Sequence, residues 1–156
     1  MIDRYTTPEM AQIWSEQNKF ETWKKVEITV TEVLSDRGEV PKEAVKVINE
    51  KAAFTVERIL EIEKVTHHDV IAFLTNMAEN IGPESRFIHM GMTSSDLLDT
   101  SLALLCQEAG EIISPAFWQS SAKEVSNKSE EVIPMWINRD SGPIFSAILV
   151  RKAITS

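Results

Sequence analysis

The longest helical pattern of the chain is TSSDLLDTSLALLCQEAGEIIS, which spans residues 93–114. Apolar residues recur in it at three- and four-residue spacings, which is typical of one face of an amphipathic helix. They are Leu97, Leu98, Leu102, Leu105, Ile112 and Ile113. Such a helix would span roughly 33 Å at 1.5 Å per residue, and Pro115 should kink or end it. Because no later segment offers a comparable apolar face, we expect the partners of this stripe to belong to other subunits.

Shorter helical patterns precede this long one. Thr7 is a predicted N-cap with Pro8 at the first helical position. An amphipathic helix follows over 18–38, a shorter one begins at Pro41, and residues 56–82 hold one or two more. The chain has only five glycines, and alternation of β-branched residues is rare. These features predict an all-α fold.

The helical patterns divide the chain into three parts. Residues 1–92 are predicted to form an N-terminal helical domain, and residues 93–114 a first long helix of a helical bundle. The remaining segment, 115–156, mixes polar residues with prolines and is not assigned a fold. It lacks the regular helical spacing of apolar residues that the chain shows before residue 115.

Composition narrows the class of protein. A chain of 156 residues with 43% hydrophobic and 26% charged residues has the size and composition of one globular domain. The net charge of −8 disfavours a nucleic-acid partner, and no stretch approaches the ~20 apolar residues of a membrane span. The N-terminus lacks the apolar core of a signal peptide, and the single cysteine, Cys106, excludes an internal disulfide. We therefore expect a cytoplasmic protein.

The segment THHD places His67, His68 and Asp69 together. Histidine is the side chain best suited to proton transfer near neutral pH, and an adjacent carboxylate can fix its tautomer. A metal site is disfavoured, because adjacent histidines on a helix point about 100° apart and no i, i+4 pair of ligands exists. The alternative is that both histidines lie on a helix surface near a helix junction.

The hydroxyls of Thr93, Ser94 and Ser95 precede the long helix, whose free N–H groups and dipole favour an anion. Thr93 and Asp96 also fit a capping box, so capping alone is the alternative to binding. Asp96 and Asp99 lie in the same first turn and would repel a carboxylate ligand unless they point away or pair with a cation.

Arg4 and Tyr5 form a third candidate group near the N-terminus. A guanidinium beside a phenol hydroxyl is a suitable pair for binding a phosphate. The alternative for this pair is a solvated N-terminal arm.

Three segments together resemble one family. MIDRYTTPEMAQIW at 1–14, ILEIEKVTHHDVIAF at 59–73 and FIHMGMTSSDLLDTSLALL at 87–105 are similar, in this order, to the N-terminal part of bacterial adenylosuccinate lyases. These enzymes belong to the fumarase/aspartase superfamily. The resemblance runs from residue 1 to about 113 and implies the N-terminal helical domain of that superfamily plus the first long helix of its central bundle.

The resemblance implies elimination of fumarate from adenylosuccinate and from a succinyl-carboxamide ribotide in purine nucleotide synthesis. It implies no metal or organic cofactor, a homotetramer, and adenylosuccinate, AMP and fumarate as small-molecule partners. The implied roles fall on residues matched to the family's motifs. Arg4 and Tyr5 would hold the phosphate, and Thr93, Ser94 and Ser95 would bind carboxylates. His68 would transfer a proton or orient the purine, with His67 and Asp69 as further contacts to the substrate. His89 would act in the same pocket.

The chain also departs from the family pattern. Family members carry Gly-Arg-Thr-His-Gly, with the general-acid histidine, at about the place of NRDSG, where Ser141 stands in the histidine position. The serine loop that supplies the base, and the bundle segment with lysine and asparagine, are not among these 156 residues. We therefore expect this chain alone to be catalytically incomplete. Two alternatives stay open: a non-catalytic helical module that binds nucleotide or another subunit, and another lyase of the superfamily.

Overall fold

The computed structural model describes residues 5–124, with side chains as far as Ser114. Helices make up the described part, and no strand occurs in it, so the predicted all-α class is confirmed. Their bounds are α1 Pro8–Ile13, α2 Glu16–Asp36, α3 Lys42–Lys51, α4 Val56–Thr66, α5 Asp69–Ile81, a 3₁₀ helix Pro83–Phe87 and α6 Ser94–Glu124.

The ends of the helices follow local signals in the sequence. The Thr7 hydroxyl accepts a bond from the Met10 N–H at 3.3 Å, and Pro8 is the first helical residue, as predicted. Gly38 takes a positive φ of 81° just after α2. Pro41 is the residue before α3 rather than its first helical residue, which is a shift of one position.

The core forms where α2 packs against α4 and α5. The Phe20 and Phe73 rings stack with their centroids 5.7 Å apart, and Trp23 meets Phe73 edge-on at 5.5 Å. Phe54 meets both phenylalanines edge-on at 6.0 Å. Ile59 and the other fully buried apolar side chains close the cluster around these rings. This core fixes α5, whose start lies beside the candidate residues His68 and Asp69.

Helix α6 packs on α2 with one face and on α1 with another part of the same face. Leu97 is fully buried in the main core, and Leu105 packs with Ala109 against Ile13 of α1. The prediction that the partners of the apolar stripe all lie in other subunits is therefore wrong for these two leucines. The exposed members of the stripe are Leu98, Leu102, Ile112 and Ile113.

Helix α6 also continues beyond Pro115, to Glu124. Of the two effects expected of Pro115, an end to the helix is therefore wrong, and a kink stays a prediction. Proline removes one N–H from the intrahelical bonds, a loss that a helix of 31 residues can absorb. No helix in the described part of the chain is both long enough and apolar enough to cross a membrane.

Candidate active site

The first turn of α6 is closed by the predicted capping box. The N–H and the hydroxyl of Thr93 both donate to Asp96 Oδ2, at 2.8 and 2.9 Å, and the Asp96 N–H donates back to Thr93 Oγ1 at 3.4 Å. These bonds satisfy donors that a helix N-terminus otherwise leaves free. They also use the hydroxyl proton of Thr93, which must leave Asp96 before it can reach a ligand.

The carboxylate of Asp96 is thus occupied by its own turn. The backbone and then the side-chain bond from Thr93 hold the pKa of Asp96 below its usual range, with a smaller contribution from His89 nearby. Ser94 is half-buried and Ser95 is exposed. Within the described residues neither serine hydroxyl makes a hydrogen bond, so both protons are available to an anion.

His89 is held by a buried carboxylate from the middle of α2. Its N–H donates to Glu27 Oε2 at 2.8 Å, and its ring Nδ1 lies 2.6 Å from Glu27 Oε1. The Glu27 side chain is fully buried, and that of His89 is 20% exposed. Burial raises the pKa of the Glu27 carboxyl, and the contacts with His89 act in the opposite direction.

The backbone at His89 adopts a left-handed conformation, with φ at 60°. Its carbonyl oxygen accepts a bond from the Met92 N–H at 3.3 Å, which closes the turn that leads into α6. The bonds to Glu27 therefore hold this turn against α2, and the capping box at Thr93 follows directly after the turn.

His67 and His68 form the two-residue connection between α4 and α5. The assumption that they share a helix is wrong, because His67 has φ at 49° and ends α4, whereas His68 is extended and caps α5. His68 Nδ1 accepts the Ile71 N–H at 3.4 Å, which identifies Nδ1 as the ring nitrogen without a proton. His68 Nε2 is consequently the nitrogen left for a ligand.

Asp69 does not fix the tautomer of His68 in the predicted way. Its Oδ1 lies 3.6 Å from His68 Nδ1, which is too long for a hydrogen bond, and accepts the Val70 N–H at 2.7 Å instead. Asp69 remains half-buried at the first turn of α5, next to the ring of His68.

Tyr5 is 73% exposed, and Arg4 lies outside the described residues. Ser141, Arg139 and Gly142, the residues at the departure from the family pattern, also lie outside them.

The structure brings His89, Thr93 and Asp96 together at the start of α6. The His68 group lies at the start of α5, and the 3₁₀ helix that leads to His89 begins after the end of α5. Along the chain the two groups are separated by α5, a helix of 13 residues that is about 20 Å long. Within the described residues no hydrogen bond or ion pair joins the two groups.

Sequence reasoning missed Glu27, although the sequence contains a signal for it. Phe20, Trp23, Val30 and Leu34 follow one face of α2 at three- and four-residue spacings, and Glu27 occupies the middle position of that face. A charge on an apolar stripe predicts a buried partner for it.

With this fold and this site established, comparisons with known proteins identify the class. Residues 3–135 match the sequence model of the Lyase family, and the chain belongs to that family. The crystal structure of fumarate lyase from Mesorhizobium sp. BNC1 superposes with a TM-score of 0.63 over 68% of this chain and 26% of that one. At 19% sequence identity this likeness shows the shared fold alone.

More specific relatives are adenylosuccinate lyases. The chain is 47% identical over 113 residues to that of Bacillus subtilis (strain 168) and 52% identical over 116 residues to that of Aquifex aeolicus (strain VF5). Each alignment covers 72% of this chain and 26% of the relative. The predicted resemblance is confirmed, and the chain spans about a quarter of the length of these curated relatives.

Proposed function

We propose that His89, Thr93 and Ser94 form one wall of the active site of an adenylosuccinate lyase. The reaction is elimination of fumarate from adenylosuccinate and from the succinyl-carboxamide ribotide of purine nucleotide synthesis. The observation that carries the proposal is the sequence identity of 47% and 52% to two adenylosuccinate lyases over the N-terminal segment that contains the candidate residues.

The start of α6 offers hydrogen-bond donors for the negative charge that develops during this elimination. A base removes a carbon-bound proton, and negative charge builds on the adjacent carboxylate. The uncommitted hydroxyls of Ser94 and Ser95, with the free N–H groups and dipole of α6, are donors for that carboxylate. Thr93 joins them when its hydroxyl leaves Asp96.

The start of α5 supplies the proposed proton chemistry. His68 keeps Nδ1 against the Ile71 N–H and presents Nε2 for proton transfer or for orienting the purine. His67 and Asp69 flank it as substrate contacts. Arg4 and Tyr5 are proposed to bind the phosphate of the nucleotide. No metal or organic cofactor enters this mechanism.

The proposal includes assembly into a homo-oligomer, a tetramer by resemblance. The exposed apolar residues of α6 supply the surface, with Leu102 52% and Ile113 55% exposed. The remaining walls of the site are proposed to come from outside these 156 residues, so that this chain alone binds ligand but does not turn over.

The test has two parts on the purified chain. Fumarate release from adenylosuccinate, followed by ultraviolet absorbance, should be absent, and AMP or fumarate should raise the melting temperature through binding to the folded state. Ser94→Ala with Ser95→Ala should abolish the protection by fumarate, whereas Ser85→Ala in the 3₁₀ helix should retain it. Turnover by the chain alone would contradict its incompleteness.

A second candidate function is a non-catalytic helical interaction module. The exposed apolar face of α6 favours it, because contiguous apolar patches on a surface mark interaction sites. Association of the chain without any protection by AMP or fumarate would support this second function and contradict the first.

A further inference from the structure

We propose that Glu27 is a positioning residue, which keeps a proton on Nδ1 of His89 and thereby leaves Nε2 as the only ring nitrogen for substrate. This inference rests on the proposed function, in which His89 belongs to the substrate pocket. It adds a residue of α2 to that pocket, although Glu27 itself is fully buried and does not reach a ligand.

The hydrogen bonds to Glu27 assign the roles of the atoms. A backbone N–H can only donate, so Glu27 Oε2, at 2.8 Å from the His89 nitrogen, must be an acceptor. The second oxygen lies 2.6 Å from His89 Nδ1, which is within hydrogen-bond distance, so one proton lies between these two atoms. Imidazole is ordinarily a stronger base than carboxylate, and the contacts with His89 oppose the rise that burial causes in the pKa of Glu27, so we place the shared proton on Nδ1.

A purely structural role does not require this arrangement. An apolar side chain on the same stripe would fill the core without the desolvation cost of a buried carboxylate. The two oxygens of Glu27 instead contact the backbone N–H and the ring of His89, a residue in the left-handed region of φ and ψ. The ring is 20% exposed, so it reaches the surface beside the start of α6.

Glu27→Gln is the discriminating substitution, because it replaces one of the two acceptor oxygens by an NH₂ group that can only donate. The His89 N–H still needs an acceptor and so selects the amide oxygen. The amide NH₂ then faces Nδ1 and donates to it. We expect the proton of neutral His89 to move from Nδ1 to Nε2, with almost no change in the shape of the side chain.

Nitrogen-15 NMR of histidine-labelled protein reads this tautomer directly. The chain has three histidines, and the signals of His89 are those lost in His89→Asn. Nδ1 should be protonated in the unmodified chain and unprotonated in Glu27→Gln. The control is Thr22→Val, a buried position on the same helix whose hydroxyl bonds only to its own helix. Nδ1 unprotonated in the unmodified chain, or unchanged in Glu27→Gln, would overturn the inference.

Titration with fumarate then tests whether the tautomer matters for binding. Glu27→Gln should weaken the binding of fumarate about tenfold, because Nε2 of His89 would then carry the proton and no longer present the same group to the ligand. Thr22→Val should bind fumarate as the unmodified chain does. Equal binding by Glu27→Gln despite a changed tautomer would overturn the positioning role. Absence of binding to the unmodified chain would refute the proposed pocket, and with it any role of Glu27 toward substrate, while the tautomer measurement would still stand.

Discussion

His67 and His89 are the two non-glycine residues with positive φ in the described part of the chain, at 49° and 60°. The left-handed conformation costs roughly 1–2 kcal/mol for a residue with a Cβ atom. The two strained histidines differ in what holds them. His89 is fixed by two bonds to Glu27, whereas His67 is exposed and bonded through its N–H to the Glu63 carbonyl at 2.8 Å. No side-chain hydrogen bond among the described residues holds His67 in this conformation, so the strain there is not offset as it is at His89.

His67→Gly should therefore stabilise the fold. Glycine is the preferred residue after a helix that ends in the left-handed conformation, and the change should raise the free energy of unfolding by about 1 kcal/mol. Chemical denaturation measures this difference. His67→Ala removes the same ring without relieving the strain and should give no gain. If both variants are equally stable, the backbone at this position carries no strain.

Glu27 and Glu79 should give opposite dependences of stability on pH. Burial raises the pKa of Glu27 in the folded state, so its contribution is complete below the unfolded pKa of about 4.3 and is lost as the pH rises through the folded pKa. The bonds from Arg58, followed by that from Asn76, lower the pKa of Glu79, so its contribution is present above about pH 4.3 and is lost as the pH falls through the folded pKa.

Urea denaturation of three proteins at pH 4 and pH 7 measures this contrast. Relative to the unmodified chain, Glu27→Gln should gain stability between pH 4 and pH 7, whereas Glu79→Gln should lose it. The same direction of change in both variants would contradict the assignment for Glu27.

At the scale of elements, the sequence predicts what local chemistry determines. The capping of α1 by Thr7 and the box at Thr93 and Asp96 follow from residue types at fixed offsets, and both are confirmed. The sequence leaves the junction at His67 and His68 open, as one or two helices over 56–82 with a junction near the histidines as one alternative, because the apolar spacing does not identify where one helix ends. The continuation of α6 beyond Pro115 was not predicted, because the expectation considered only the hydrogen bond that proline removes. The other hydrogen bonds of this long helix were left out of account.

Thr93→Ala should cost about 1 kcal/mol of stability at neutral pH, the usual cost of losing an N-cap. Asp96→Asn should have a similar effect, because the same bonds lower the pKa of Asp96. The effect of either change should shrink as the pH falls through that lowered pKa. Asp99→Asn removes a charge three residues further on, outside the box, and should cost less than about 0.5 kcal/mol. A loss at Asp99 as large as that at Asp96 would show that charge near the helix dipole, rather than the box, stabilises this end.

For the whole molecule, a hydrophobic pattern locates a helix but does not identify what covers each residue of its stripe. Leu97 and Leu105 of α6 are buried by α2 and α1, whereas Leu102 is half exposed, although all three belong to one predicted stripe. Their partners depend on the tertiary fold of the chain, which the three- and four-residue spacing of apolar residues does not predict. The same limit explains Glu27, whose partner His89 lies 62 residues away.

Leu102→Glu should disrupt self-association of the chain without unfolding it. Leu102 is 52% exposed on α6, and a carboxylate there would be desolvated in any apolar interface that covers this face. Sedimentation velocity should show an assembly for the unmodified chain and a monomer for Leu102→Glu, with unfolding free energies within about 0.5 kcal/mol of each other. Leu60→Glu makes the same change at a position 43% exposed on α4 and should remain assembled. A monomeric unmodified chain, or equal loss of assembly in both variants, would contradict the assignment of this face of α6 as the subunit interface.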